Sequence, residues 1–401
     1  MLTDLEFNII IENNRIYPVY QPIVSVKEKK IVGVEALTRG VDSSDDMVTP
    51  DRLFCASKEY DKVLEFDRLC RKNAITKFGE EGNKDDHILF LNFDPGILND
   101  VSIGSCWMEK LVRANNIEPS SVAIEIVESQ VESSKKLIEF TNLYRDLGFL
   151  IVLDDFGAEH SNLNRVIDLK PDIIKIDRKI VDCVSNEHYK RAIISSIVNL
   201  SNKTGVLTLA EGVENLNDIT TCCELGVDLF QGFFFAKPDK NLNGLDDRYL
   251  NSISKVSDEL SYHLNINARR KDDITKSYLK ICDHYISELR GYSWEQIDGY
   301  FNRSNDFCDN VQCLYLLDEK GFQISGTNCH IEFEKNKLFS PSIAGADHSL
   351  KEYYYQMENH RTDMYLTDPY ISLATGNICR TMSKRFMTSK NEEVILCIDF
   401  I

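Results

Sequence analysis

Residues 150–177 read LIVLDDFGAEHSNLNRVIDLKPDIIKID. Two short β-branched runs, Leu150–Asp154 and Ile173–Ile176, flank a longer amphipathic stretch, and charged side chains close each run. A connection of that length joins parallel neighbours through a crossover. The same alternation spreads outward from the N-terminus to about residue 238. Further strand candidates are Pro18–Val24, Lys30–Leu37, Ile88–Asn92, Val122–Ile126, Leu207–Ala210 and Leu229–Phe230. Helical stretches lie between them at Glu109–Asn115, Ser134–Leu147, Tyr189–Thr204 and Leu216–Glu224, where apolar residues such as Ile193, Ile194, Ile197 and Leu200 recur at three- and four-residue steps. Eight strands is the number that closes a TIM-like (β/α)8 barrel. The first two strands are separated only by SVKEK (25–29), too short for a crossover, so they form a hairpin and the barrel carries one antiparallel strand.

Downstream, PDKNLNGLDD (238–247) is polar and turn-rich, the mark of a domain edge. Leu250, Ile253, Val256, Leu260 and Leu264, then Ile274, Tyr278, Ile281, Tyr285 and Leu289, keep helical spacing through one or two helices. VQCLYLLDEKGFQIS (311–325) and EEVILCIDFI (392–401) read as strands of a small antiparallel sheet. The expected organisation is a barrel over 1–245, a helical connector over 246–295 and a smaller α+β domain over 296–401.

Of the 401 residues 43% are apolar and 27% charged, with 19 Gly and 9 Pro, which supports a buried core and excludes disorder. Acidic residues outnumber basic ones by 64 to 46, a formal charge of -18, so long nucleic acid is not an expected partner. No stretch reaches the roughly 18–20 apolar residues of a membrane span, and MLTDLEFNIIIENN lacks the basic flank of a signal peptide, so a cytoplasmic location is expected. The 12 cysteines are scattered and read as small buried hydrophobes rather than a disulfide framework or zinc site. His330, His348 and His360 read as surface histidines, and His160 as a loop side chain.

The strand ends carry the chemistry. Polar or charged residues close or follow nearly every strand after the first: Glu35 in VGVEAL, Asn92 in LFLNF, Glu125 in AIEIVE, Asp154 and Asp155 in VLDDFG, Lys175 in IIKID, Glu211 in LAEGVE and Gln231 in LFQGF. In a barrel these positions converge on one rim. Burying like-charged carboxylates together costs several kcal/mol each unless cations offset them, so the pattern predicts metal. Oxygen donors without Cys or His at these positions favour Mg2+ or Mn2+ over zinc. Two such ions about 3.5–4 Å apart clamp the oxygens of a phosphoester, with Lys175 placed to orient water or offset charge. Metal-assisted phosphodiester hydrolysis is the expected chemistry.

Eight blocks in order, YQPIV (20–24), VEALTR (34–39), LNFDP (91–95), IEIVES (124–129), VLDDFG (152–157), IKID (174–177), AEGVE (210–214) and QGFFFAKP (231–238), resemble the EAL-domain cyclic-di-GMP phosphodiesterases, named for the tripeptide Glu35-Ala36-Leu37. The resemblance implies that Glu35, Asn92, Glu125, Asp154 and Asp155 ligate two Mg2+ or Mn2+ ions, with Glu211 supporting the second. It also implies that Lys175 acts on the water, that Gln231 and Glu214 position ligands and water, and that Gln21, Leu37 and Arg39 touch the substrate, cyclic di-GMP. A guanidinium suits a phosphate because its planar fork binds two oxygens. The product would be linear pGpG, and the protein a homodimer.

Two departures stand out. The family's DDFGTGYSSL reads DDFGAEHSNL here, with Ala158, Glu159 and His160 in a loop that Glu128 is implied to anchor, and the usual EITE reads EIVE, with Val127. Glu159 cannot follow every backbone conformation open to glycine. These changes keep open a second reading, a catalytically weak receptor that binds cyclic di-GMP and signals to a partner. TDPYISLATGNICRTMS (367–383) resembles the core of PAS-like, Cache-type sensor domains. It offers Asp368, Tyr370 and Arg380 to an unidentified small molecule, or else a structural dimerisation module.

Overall fold

A computed structural model describes residues 2–81, 86–99, 106–127, 134–158, 163–292, 296, 308, 310–330 and 338–401. The chain divides into two compact units, Met1–Asn265 and Ile266–Ile401.

The first unit is a barrel of β1 (Ile16–Ser25), β2 (Lys30–Val41), β4 (Ile88–Phe93), β5 (Val122–Val127), β6 (Leu150–Phe156), β7 (Ile173–Ile176), β8 (Leu207–Ala210) and β9 (Leu229–Phe230), with β3 (Met47–Val48) as a short extra edge. Strands β2 and β4 to β9 run parallel, whereas β1 is antiparallel to both neighbours and closes the cylinder between β2 and β9. The expected TIM-like barrel with one reversed strand is therefore the fold. Helices α1 (Asp4–Glu12), α2 (Pro50–Glu59), α3 (Val63–Glu81), α4 (Trp107–Ala114), α5 (Ser134–Asp146), α6 (Leu163–Leu169), α7 (Arg178–Val181), α8 (His188–Thr204) and α9 (Leu216–Leu225) accompany the strands.

The side-chain period of two along each strand sorts the core. Ile23, Phe90, Ala123, Val152, Ile173, Leu209 and Leu229 fill the barrel interior, while Leu91, Ile124, Leu153, Ile174 and Ile176 pack outward against the helices. Gly33 belongs to the interior layer: a Cβ there would lie 2.9 Å from the Phe90 ring and 2.3 Å from the Ile88 carbonyl oxygen. Two residues along from each interior position, on the same side of the strand, stand Gln21, Glu35, Asn92, Glu125, Asp154, Lys175, Glu211 and Gln231. Hydrophobic filler below thus forces the polar set into one layer above.

Helix α10 runs unbroken over Leu245–Leu289, a single element where one or two helices were expected. Its Ile253, Val256 and Leu260 join the core of the first unit.

In the second unit an antiparallel sheet is built from β10 (Val311–Leu317), β11 (Asn328–Cys329), β12 (Met364–Leu366), β13 (Tyr370–Ile371), β14 (Ile378–Met387) and β15 (Glu393–Phe400). Its order is β11-β10-β15-β14-β12, with β13 paired to β14. Tyr278, Cys282, Tyr285, Ile286 and Leu289 of α10 cover one face through Leu314, Leu316, Met382, Leu396, Ile398 and Phe400. Helix α11 (Glu352–His360) covers Tyr315, Leu317, Ile395 and Cys397 with Tyr353, Tyr354 and Met357. It is the smaller α+β domain that the sequence implied.

Three expectations about single residues are corrected. Cys313 and Cys329 are disulfide-bonded rather than free, because β10 and β11 pair these residues directly across the ladder, with their Cα atoms 4.1 Å apart. Cys55 and Cys183 are exposed rather than buried. His348 is buried, not on the surface: its Nδ1 lies 2.6 Å from the Tyr353 hydroxyl, and burial pushes the imidazole down to about 4. Of the ligand candidates here, Asp368 is exposed, Tyr370 meets the Thr381 hydroxyl at 2.5 Å, and Arg380 donates to the Thr367 carbonyl at 2.9 Å.

The disulfide closes a loop spanning 16 positions, for which the chain-entropy account gives about 3 kcal/mol. Alkylating unfolded, unreduced protein should leave the peptides bearing Cys313 and Cys329 cross-linked in mass spectra, and the doubly Ser-substituted chain should unfold at lower denaturant.

Candidate metal centre

The polar layer meets around Lys175, whose side chain is 1% exposed. Its Nζ lies 2.7 Å from Glu211, 2.8 Å from Glu125, 3.1 Å from Asp154 and 3.9 Å from Glu35. Burial alone would favour the neutral amine, but Asp154, Glu125, Glu211 and Glu35 together hold the ammonium well above the usual lysine range.

One ammonium among four carboxylates leaves some of them short of positive charge, and their acidities diverge accordingly. Burial opposes ionisation of Glu35, yet Lys175, the Gln231 amide at 2.6 Å and the Asn92 amide at 3.0 Å hold its carboxyl below the ordinary range. Glu125 is fully buried, with Oε2 lacking any hydrogen-bond partner, and burial and Glu35 push it well above its usual value. Burial, partly offset by Lys175, raises Glu211 to about 8. Burial and the neighbouring Asp154 and Asp177 raise Asp155 to about 6.

Asp154 and Asp155 share the rim because β6 is irregular between Leu153 and Phe156. Asp155 takes φ 55°, and its amide donates to the Asp154 carboxylate at 3.0 Å. Without this kink, adjacent residues would point to opposite faces. As a result, Asp154, Asp155 and Glu211 each present one oxygen within 4.8 Å of the others. An all-oxygen donor set, a buried orphan oxygen on Glu125 and carboxyls that resist ionisation are what a hard divalent cation relieves, so these residues fit the expected metal.

The rim opens into a cavity of about 280 Å3. Gln21, Glu35, Leu37, Asp155, Glu211, Glu214 and Gln231 line it, as do Asp177, Arg178 and Phe233, which the sequence reading did not single out. Asp177 ends the IKID block and caps α7, accepting from the Lys179 amide at 2.7 Å. Gln21 bridges the Gln231 amide, 3.4 Å away, and the Ala236 carbonyl, 3.0 Å away. The Arg39 guanidinium donates to the Thr38 carbonyl at 2.8 Å. Glu214 pairs with Arg178 at 2.8 Å. Glu128, Glu159 and His160 lie outside the described residues.

The loop 211–214 is clamped from two sides. Gly212 (φ +63°) lies under the Arg178 stem, and a Cβ on Gly232 would come within 2.1 Å of the Val213 carbonyl oxygen. Only glycine allows either approach.

A family model described as EAL domain matches residues 4–238. The Bacillus subtilis protein YkuI, described as an uncharacterized EAL-domain containing protein, is 26% identical over 92% of this chain and 91% of its own. Its crystal structure in complex with substrate c-di-GMP and calcium superposes with a TM-score of 0.83 at 25% identity, covering 100% of this chain and 99% of that one. The cyclic di-GMP phosphodiesterase RocR of Pseudomonas aeruginosa is 27% identical over 59% of this chain and 60% of its own. A manganese and cyclic di-GMP complex of Klebsiella pneumoniae BlrP1 matches with a TM-score of 0.52 at 29% identity, over 56% of each chain.

The raised carboxyls make the metal-free protein pH-sensitive. Glu211 (4.5 to about 8) and Asp155 (3.8 to about 6) bind protons more tightly folded than unfolded, so stability falls as pH rises through those windows. Urea unfolding in EDTA should show this decline, and Glu211→Gln should make it shallower between pH 6 and 8. Lys175→Met, which strands the carboxylates, should cost about 3–5 kcal/mol in EDTA and less in Mn2+.

Proposed function

The chain belongs to the EAL-domain family, and from that premise we propose that it hydrolyses cyclic di-GMP to linear pGpG with two Mg2+ or Mn2+ ions. Relatives named as cyclic di-GMP phosphodiesterases and neighbours solved with that dinucleotide support the reading. The observation that carries it is the convergence of four carboxylates on one buried ammonium at the barrel mouth, beside a cavity open to a ligand.

Glu35, Asn92, Glu125, Asp154 and Asp155 would hold the ions, with Glu211 supporting the second. When bound, such ions polarise the phosphoester and acidify water. The chain's own groups supply the rest. Lys175 remains an ammonium, so it acts as a donor and not as a base, orienting the attacking water and offsetting charge that builds on the phosphate. Asn92 and Gln231 each donate to one oxygen of Glu35 and fix its plane. Gln21 and Leu37 shape the substrate side of the cavity, and Arg39 reaches the ligand once its bond to Thr38 is exchanged.

Ala158, Glu159 and His160 favour one alternative, a receptor that binds cyclic di-GMP and turns it over poorly. We assign the second unit a regulatory or dimerising role, with an unidentified small molecule as its ligand, and the protein as a whole to the cytoplasm. No described helix is long and apolar enough to cross a membrane.

Purified protein with Mn2+ and cyclic di-GMP should yield pGpG by chromatography; recovery of intact ligand alone would leave the receptor reading. Glu35→Ala or Asp154→Ala should abolish turnover and weaken metal binding. Lys175→Ala should lower kcat by about 100-fold or more with a smaller effect on ligand affinity. Ca2+ should inhibit, because its looser coordination does not hold the octahedral clamp.

A further inference from the structure

A cyclic dinucleotide carries two phosphodiesters, and only one reacts in a given turnover. Divalent ions on the carboxylate rim offset the reacting one; the other needs a cation of its own. Lys175 cannot supply it, being buried and surrounded by carboxylates. Arg39 is held on the Thr38 carbonyl and is not part of the cavity lining; among the described residues that line the cavity, Arg178 is the one cation, sharing it with Asp155, Asp177, Glu211 and Glu214.

Arg178 is built to be both placed and exchangeable. Its stem lies against Gly212, where a Cβ would come 2.5–2.8 Å from Arg178 Cβ, Cγ and Cδ. Its head is half-exposed and pairs with Glu214, itself 44% exposed, at 2.8 Å. An ion pair this open contributes about 0–1 kcal/mol, so exchanging the carboxylate for a phosphate costs little. The gain is a charge-assisted, two-oxygen contact that a guanidinium makes and an ammonium does not.

We propose that Arg178, seated on Gly212 and released from Glu214, binds the phosphodiester of cyclic di-GMP that is not being cleaved. The assignment rests on the phosphodiesterase reading and explains how the site tells a two-phosphate ring from a simple diester. It also gives Glu214 a definite task, holding the arginine in place until the phosphate takes over the contact.

The test compares cyclic di-GMP with bis(p-nitrophenyl) phosphate, a diester with a single phosphate, both with Mn2+. Arg178→Ala should raise KM for cyclic di-GMP, and its Kd in Ca2+, by about 10–100-fold, the usual worth of a charge-assisted contact. Its kcat should change much less. The ratio of kcat/KM values, cyclic di-GMP over the small diester, should fall at least about tenfold, and Arg178→Lys should recover part of it. A KM within about twofold of wild type, or equal losses on both substrates, would overturn the assignment. Mn2+ binding and thermal midpoint check folding; if Arg178→Ala fails to fold, Arg178→Lys carries the same comparison, and a wild-type ratio there overturns the proposal. Wild-type protein that cuts the small diester but neither binds nor cuts cyclic di-GMP would instead overturn the functional reading beneath it.

Discussion

The ammonium of Lys175 is the hub on which the barrel mouth depends. Buried among Glu35, Glu125, Asp154 and Glu211, it is the internal counter-charge that lets those carboxylates share one small volume. It is also insufficient, since one positive charge cannot offset four negative ones at low dielectric. The shortfall shows in the weakened acidity of Glu125 and Glu211, which would rather hold protons than remain bare. A site in that condition is poised for cations, because divalent ions relieve in one step the repulsion that the fold leaves standing. Charge imbalance is thus a working part of the site rather than a flaw in packing.

Much of this was legible before any coordinates, because two periods coincide. Strands alternate their faces, and a barrel points every strand's C-terminal end at one rim, so a polar residue two positions beyond an interior hydrophobe announces itself in sequence. Ile173 and Lys175, Leu209 and Glu211, and Leu229 and Gln231 are such pairs. Three strands, Ile173–Ile176, Leu207–Ala210 and Leu229–Phe230, have the predicted bounds, each being a short apolar run stopped by a charge or turn. Strand β2 runs on to Val41 because Thr38 and Arg39 remain paired with Pro18 and Tyr17 of β1, a contact that hydropathy does not register.

What was not legible lies where periodicity stops. Arg178 and Asp177 follow β7 in a turn, and nothing in their spacing says that the turn folds over the cavity. The significance of Arg178 comes from Gly212, thirty-odd residues along the chain, whose missing side chain makes room for the arginine stem. The left-handed Asp155 is likewise invisible in a sequence that shows only two adjacent aspartates. In the second unit, ten other cysteines could have partnered Cys313 or Cys329; only the register of β10 against β11 selects the pair. His348 reads as polar, but its ring packs at a tilt against Tyr315 and Tyr353, so its burial depends on Tyr315 of β10, a neighbour that local sequence does not contain.

The net charge of -18 bears on the same point. An acidic protein with an acidic cavity repels a dianionic ligand at long range and at short range alike. On the proposed reading, bound ions reverse the sign of the field at the rim, while Arg178 does so locally in the cavity it lines. Metal and dinucleotide then favour each other's binding, and by linkage the coupling is reciprocal: whatever tightens the ions tightens the ligand by the same factor. The loop after Asp155 has leverage over that coupling, because it continues directly from one of the carboxylates. A shift there moves Asp155 relative to Asp154 and Glu211, whose oxygens already stand within 4.8 Å of its own.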